Sequence, residues 1–231
     1  MPKIMNYEEA LGLARRLIEE NPGNLQEPDN FLLHLGDSYE IARETVDAAV
    51  SRYPGLGRHL FKEEIALAGG LHDIGRPLRQ DQLFHELRGA SYLEQKGLEM
   101  GVADSLTDVF RLAQMFRSHY VVAEQFADPE NVREREEFEP LDSCLLVPRT
   151  WQEAIVVYAE LSNVRGERMS IQKRIEDIKQ RYAGPGEGNE NAALIKAMKK
   201  GLDRVFEVCE RVQRLRDGTL AEQEIMRYGF L

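Results

Sequence analysis

An all-α fold is what this sequence predicts, on three observations. Apolar residues recur at three- and four-residue steps through most of the 231 residues. No run alternates apolar and polar residues in the way a half-buried strand requires. Clusters of glycine, proline and asparagine cut the pattern into pieces of helix length. The chain is long enough to bury a sizeable core, and one domain over residues 1–231 is the expectation.

Taken in order, Tyr7, Leu11, Ala14, Leu17 and Ile18 predict an amphipathic helix over 6–20, stopped by Asn21-Pro22-Gly23-Asn24. Phe31, Leu32, Leu35, Ile41, Ala42, Val46 and Val50 predict a second helix from about 29 to 53, closed by Pro54-Gly55-Leu56-Gly57. His34 and Asp37 lie three apart on it and so share a face. A short apolar helix over 63–71 ends in Gly69-Gly70-Leu71-His72-Asp73, where the glycines permit close backbone approach just before the His-Asp pair.

Residues 81–96 predict a helix that carries His85 and ends at Gly97; residues 104–125 predict another that carries His119. Asp128-Pro129, the run Arg133-Glu134-Arg135-Glu136-Glu137, Pro140 and Pro148 make 127–150 a polar connection covering one side of the body. The helical pattern resumes over 151–164 through Ile155, Tyr158, Ala159 and Ser162, carrying Glu160, and a more polar helix follows over 170–182. After the break at Gly184-Pro185-Gly186-Glu187-Gly188, Asn189 or Asn191 is the expected N-cap of a long last helix. Its stripe of Ile195, Met198, Leu202, Val205, Val208, Val212 and Leu215 suits core packing or the seam of a homodimer.

A net charge of -10 argues against a nucleic-acid polymer as partner, because phosphate neutralisation needs clustered Lys and Arg. A small anionic substrate needs only a few local arginines. Cys144 and Cys209 have neither metal-type spacing nor a disulfide framework, which fits a reducing compartment. The first residues lack the apolar core of a signal peptide and no stretch approaches a membrane span, so a soluble, cytoplasmic protein without a membrane partner is expected.

Ligand-type residues are spread as Asp37 or His34, then His72-Asp73, His85, His119 and Glu160. Imidazoles mixed with carboxylates suit a divalent transition ion, with iron, manganese, cobalt, nickel and zinc all compatible. A bridging carboxylate such as Asp73 can hold two ions close together, and such a pair activates water and stabilises charge on a phosphoryl oxygen. That is hydrolytic chemistry. Arg76, Arg79, Arg117 and Arg165 lie beside these residues in sequence as candidate phosphate clamps, Arg76 first because it follows the His-Asp pair directly.

Leu71-His72-Asp73-Ile74-Gly75-Arg76 resembles the central motif of the HD-domain metal-dependent phosphohydrolases, an all-α superfamily. Phe84-His85-Glu86-Leu87-Arg88-Gly89-Ala90 is similar to the His-x-x-x-Gly-Ala segment of its two-metal members, and Arg117-Ser118-His119-Tyr120 to the later histidine. Ala159-Glu160-Leu161-Ser162-Asn163-Val164-Arg165-Gly166 resembles the segment around the terminal Asp. The resemblance covers roughly residues 30–183, leaving 184–231 as a helical extension. Two positions depart from the pattern. Ser38-Tyr39-Glu40-Ile41-Ala42 places Asp37 where the family has its first histidine, with His34 one turn earlier, and Glu160 stands where the family has Asp.

What the resemblance implies is an HD-type helical bundle with added N- and C-terminal helices. It implies hydrolysis of a phosphoester or phosphoanhydride in a nucleotide-like small molecule, with one or two divalent ions per chain. Its metal set is His34 or Asp37 with His72, Asp73, His85, His119 and Glu160; Asp73 bridges or orients the attacking water and Arg76 balances the phosphate charge. The extra histidines are more like two-metal members, including those acting on dinucleoside polyphosphates, than single-metal nucleotidases. No Gly-Tyr-Pro of the cyclic-dinucleotide branch follows the histidines, and no acidic pair of the alarmone hydrolases follows His72-Asp73. The altered first and last positions leave a binding or regulatory module without turnover as the second reading, and a paired-iron oxygenase as a third.

Overall fold

The computed structural model describes residues 4–164, 167–182 and 189–230. Its class is all-α, with helix over 71% of the chain. In order the helices are α1 (Tyr7–Glu20), α2 (Pro28–Arg52), α3 (Lys62–Leu71), α4 (His85–Lys96), α5 (Leu106–Arg117), α6 (Val122–Phe126), α7 (Val132–Arg135), α8 (Trp151–Glu160), α9 (Ile171–Tyr182), α10 (Asn189–Asp217) and α11 (Glu222–Tyr228). The one sheet among the described residues is a two-residue antiparallel pair, β1 (Asn163–Val164) with β2 (Glu167–Arg168). The expected break at Gly184–Gly188 and the candidate Arg165 lie outside the described residues.

Local chemistry explains several boundaries. Asn6 and Glu9 form a reciprocal cap that starts α1, the Asn6 side chain accepting from Glu9 N at 3.1 Å and Glu9 accepting from Asn6 N at 2.8 Å. Thr150 and Glu153 do the same for α8. A Pro at the first position opens α2, where the missing N–H costs nothing.

α2 and α3 form the centre, and α8 and α10 also pack against α2. A Cβ added at Gly69 would come 2.8 Å from the Ser38 carbonyl oxygen, so the α3 backbone lies directly against α2. That contact sets the end of α3 opposite His34. Met198, Val205, Val208, Val212 and Leu215 of α10 are buried in the main apolar cluster, so the predicted stripe is core. Phe138, Leu141 and Leu146 pack with Phe84, Leu87, Val122 and Phe126 as a second cluster. Residues 127–150 therefore do cover one side of the body, in short helical turns.

Three expectations need correction. The predicted 81–96 helix begins only at His85, because Phe84 adopts a left-handed backbone (φ 59°) that cannot continue a helix. The predicted 104–125 helix splits into α5 and α6, and His119 sits in the break, where Ser118 and Val121 leave helical geometry. Tertiary packing around the buried His119 ring outweighs the local periodicity there. The 151–164 helix stops at Glu160, and the chain turns into β1. No helix among the described residues is long and apolar enough to cross a membrane.

Candidate metal centre

Three segments bring side chains to one point. His34 comes from α2, His72 and Asp73 from the turn after α3, and Glu160 from the last position of α8. One ligand atom from each lies within 4.8 Å of the others, a group that could hold a metal ion. Glu160 Oε2 is 2.5 Å from His34 Nε2 and 2.8 Å from His72 Nε2, and those two nitrogens are 3.2 Å apart. Asp73 Oδ2 stands 3.9 Å from His34 Nε2 and 3.7 Å from His72 Nε2.

The rings are held from behind. His72 Nδ1 donates to the Gly69 carbonyl at 2.6 Å, and His34 Nδ1 donates to Asn163 Oδ1 at 2.7 Å. The Asn163 amide orientation follows from its other bonds, since Nδ2 donates to Ser38 Oγ at 3.0 Å and to the Ala159 carbonyl at 2.9 Å. With each Nδ1–H committed to an oxygen, each Nε2 is turned into the site, the arrangement that orients an imidazole as a metal ligand. Two such nitrogens share Glu160 Oε2. A proton on each would crowd one oxygen, whereas one cation between them serves all three atoms.

A second group lies against the first through Asp73. His85 Nδ1 donates to the Gln82 carbonyl at 2.7 Å, and its Nε2 is 2.8 Å from Asp73 Oδ1. Its neighbour Glu86 has Oε1 at 3.2 Å from His85 Nε2 and 3.3 Å from His119 Nδ1. The His119 ring is fully buried, stacks on His72 with centroids 5.3 Å apart, and makes no hydrogen bond through either nitrogen. Glycines place this group. A Cβ at Gly75 would overlap the His85 carbonyl oxygen, and one at Gly89 would come 2.9 Å from Gly75 N. The Ile-Gly after His72-Asp73 and the Gly-Ala after His85 are thus packing partners that dock the start of α4 beside Asp73.

Burial alone would lower the basicity of His72, but the Asp73 charge and the Glu160 hydrogen bond raise it to about 9. Burial opposes ionisation of Asp73, yet Arg76, His72 and His85 hold it well below the usual carboxylate range. Glu160 is likewise held well below its ordinary value against burial, by His34 and His72. Glu86 overcomes burial through His85 and His119 and falls to about 2. The carboxylates are therefore charged and ready to bind a cation, and at His72 a cation must displace a proton.

The first group opens onto a cavity of about 190 Å³ whose wall includes His34, Asp73, Glu160, Arg76, Arg174, Phe31 and Tyr120. Arg76 Nε donates to Asp73 Oδ2 at 2.5 Å. From α9, Arg174 reaches Glu160 Oε1 at 3.4 Å. Two guanidinium groups thus flank the carboxylates at the mouth, a setting for an anionic ligand.

Of the sequence candidates, His34, His72, Asp73 and Glu160 form the group, and His85 and His119 border it through Asp73 and His72. Asp37 is not a member. Its charge bears on Tyr7 and Arg168, while His34, one turn earlier with a longer reach, takes the first position. Glu160 does reach, because α8 ends there and presents its last side chain. Arg79 pairs with Glu137 at the surface and Arg117 pairs with Glu94, so neither joins the cavity wall. Asn163, Arg174 and Glu86 escaped the sequence reading. Glu86 had a signal, since His85-Glu86 repeats the His-carboxylate dipeptide of His72-Asp73; Arg174, fourteen residues past Glu160 across a turn, had none.

No protein-family model matches the chain, and neither a curated protein nor a solved structure matches it.

Proposed function

We propose that this chain is a metal-dependent phosphohydrolase of the HD-domain type, cleaving a phosphoester or phosphoanhydride in a nucleotide-like small molecule. One observation carries the reading. Two imidazole nitrogens and two carboxylate oxygens converge at the wall of a cavity that also bears Arg76 and Arg174. The donor set suits a divalent transition ion, since each ring has its Nδ1 tied back and its Nε2 turned inward.

A bound divalent ion supplies an acidified water and charge stabilisation at a phosphoryl oxygen. The chain supplies the rest. His34, His72, Asp73 and Glu160 would hold the ion, and Asp73, ionised and buried, orients the attacking water. Arg76 and Arg174, each beside a carboxylate, turn to the phosphate when a cation takes over their partner's charge. Phe31 and Tyr120 give the cavity an apolar wall for the organic part of the substrate.

The direct test is phosphate release from nucleoside mono- and triphosphates, dinucleoside polyphosphates and simple phosphomonoesters. Chelator-treated protein is assayed alone and after addition of manganese, iron, cobalt, nickel or zinc. Release restored by at least one ion, and lost in Asp73→Asn and His72→Ala, is the expected result. Stoichiometric metal binding with no release from any substrate would favour the second reading, a binding module. A specific observation supports that alternative: Arg76 already neutralises Asp73 at 2.5 Å.

A further inference from the structure

Asp73 Oδ2 is claimed from two sides. It is the oxygen that faces the His34 and His72 nitrogens, at 3.9 and 3.7 Å, and it also accepts from Arg76 Nε at 2.5 Å. The other oxygen, Oδ1, is turned toward His85 Nε2 at 2.8 Å. Burial opposes the Asp73 charge, and of the cations that offset it Arg76 contributes most, ahead of His72 and His85. A guanidinium thus already stands on the oxygen that a cation in the His34 group would draw on.

Arg174 is placed differently. Its Nη2 lies 3.4 Å from Glu160 Oε1, whereas Glu160 Oε2 faces His34 and His72 at 2.5 and 2.8 Å, and its Nη1 donates to Asp177 Oδ2 at 3.0 Å. It is 6% exposed, while the Arg76 side chain is 24% exposed, and both line the cavity. Arg76 therefore occupies a ligand oxygen, and Arg174 leaves its partner's ligand oxygen to the histidines.

We propose that Arg76 couples cation and anion binding: it competes with the cation for Asp73 Oδ2, and a phosphoryl-type anion in the cavity draws it away, so that each ligand tightens the binding of the other. This inference rests on reading the His34 group as a metal centre. A guanidinium makes charge-assisted bonds to a carboxylate or to a phosphate oxygen, so Arg76 has a partner in both states. A cation and Arg76 on the same buried oxygen repel each other at close range. With Arg76 on the anion and the cation on Asp73, no charge in the site is left unpaired. Linkage makes the effect reciprocal, since the factor by which the anion raises cation affinity is the factor by which the cation raises anion affinity. Removing Arg76 should therefore strengthen cation binding, the reverse of what loss of a ligand would do.

The test is titration calorimetry of Mn²⁺ into chelator-treated wild-type, Arg76→Ala and Arg174→Ala proteins, each with and without saturating methylphosphonate, which carries phosphoryl-type oxygens but no cleavable ester. Without the anion, Arg76→Ala is expected to bind Mn²⁺ about tenfold tighter than wild type, and Arg174→Ala to stay within about threefold of it. Methylphosphonate is expected to tighten Mn²⁺ binding in wild type and to do so less in Arg76→Ala. Should Arg76→Ala fail to fold by circular dichroism, Arg76→Gln carries the same comparison. Unchanged or weaker Mn²⁺ binding in the folded Arg76 variant overturns the proposal. So does an equal gain in the two arginine variants, which would reduce the effect to general charge, or an equal effect of methylphosphonate with and without Arg76. Each of these outcomes leaves the metal-centre reading standing as long as wild type binds Mn²⁺ saturably. No saturable binding in wild type would remove both.

Discussion

The two sides of Asp73 solve the same problem differently. On the side of His34, His72 and Glu160, every carboxylate oxygen has a nitrogen close by, and Arg76 and Arg174 add charge from the cavity mouth. On the side of His85, Glu86 and His119, the donors are as deeply buried, yet an oxygen and two nitrogens stay unbonded. The first group is satisfied by protons and arginines. The second is not. Buried polar groups that remain unpaired cost more stability than those that pair with one another.

The largest expected effect comes from breaking the backbone contact that joins the two sides. A methyl group at Gly75 meets backbone rather than a movable side chain, so Gly75→Ala should destabilise the protein by about 3 kcal/mol and separate His85 from Asp73. Urea denaturation measures it, and a loss under about 0.5 kcal/mol would show that α4 docks less closely than described.

pH should separate the metal-free from the metal-bound protein. His72 titrates near 9 in the folded chain and near 6.5 when exposed, so its contribution is complete below about 6.5 and lost as pH rises through 9. Glu86 falls from 4.5 to about 2, so its contribution is complete above about 4.5 and lost as pH falls toward 2; Asp73 and Glu160 act in the same direction. The metal-free protein should therefore be most stable between about 4.5 and 6.5. A bound cation replaces the His72 proton, so added metal should flatten the alkaline limb. Thermal melts at pH 6 and 9, with and without Mn²⁺, read this directly, and equal melting shifts at the two pH values would count against it.

Asn163 belongs to the first side alone. Removing the acceptor that fixes the His34 ring, Asn163→Ala should weaken metal binding by about 10- to 100-fold with little change in fold. Unchanged affinity by calorimetry would mean His34 needs no such support. The smallest effect is expected at Arg79, whose exposed pair with Glu137 contributes less than about 1 kcal/mol. Arg79→Ala should leave hydrolysis unchanged, whereas Arg76→Ala should raise KM, and equal effects of the two would sink the distinction between them.

Much of this was legible in the sequence where chemistry is local. The helical period placed α1, α2 and α3 to within a residue or two, and the His72-Asp73 pair marked the centre of the site. The choice of His34 over Asp37 was not legible, because two residues on one helical face differ only in where the neighbouring helix stands. Gly69 against Ser38 sets that, and it is a long-range contact. The break that frees His119 was hidden for a similar reason, since the 104–125 pattern is periodic throughout and only packing interrupts it. Asn163 and Arg174 act through a turn that reverses the chain after Glu160, which no spacing rule anticipates.

The central claim is that His72 and its neighbours bind a divalent ion, and titration calorimetry of Mn²⁺ into chelator-treated protein tests it most directly. Saturable binding in the wild type, lost in His72→Ala while circular dichroism shows the helices intact, is the predicted result. Absence of saturable binding in the wild type, or unchanged binding in His72→Ala, would contradict it.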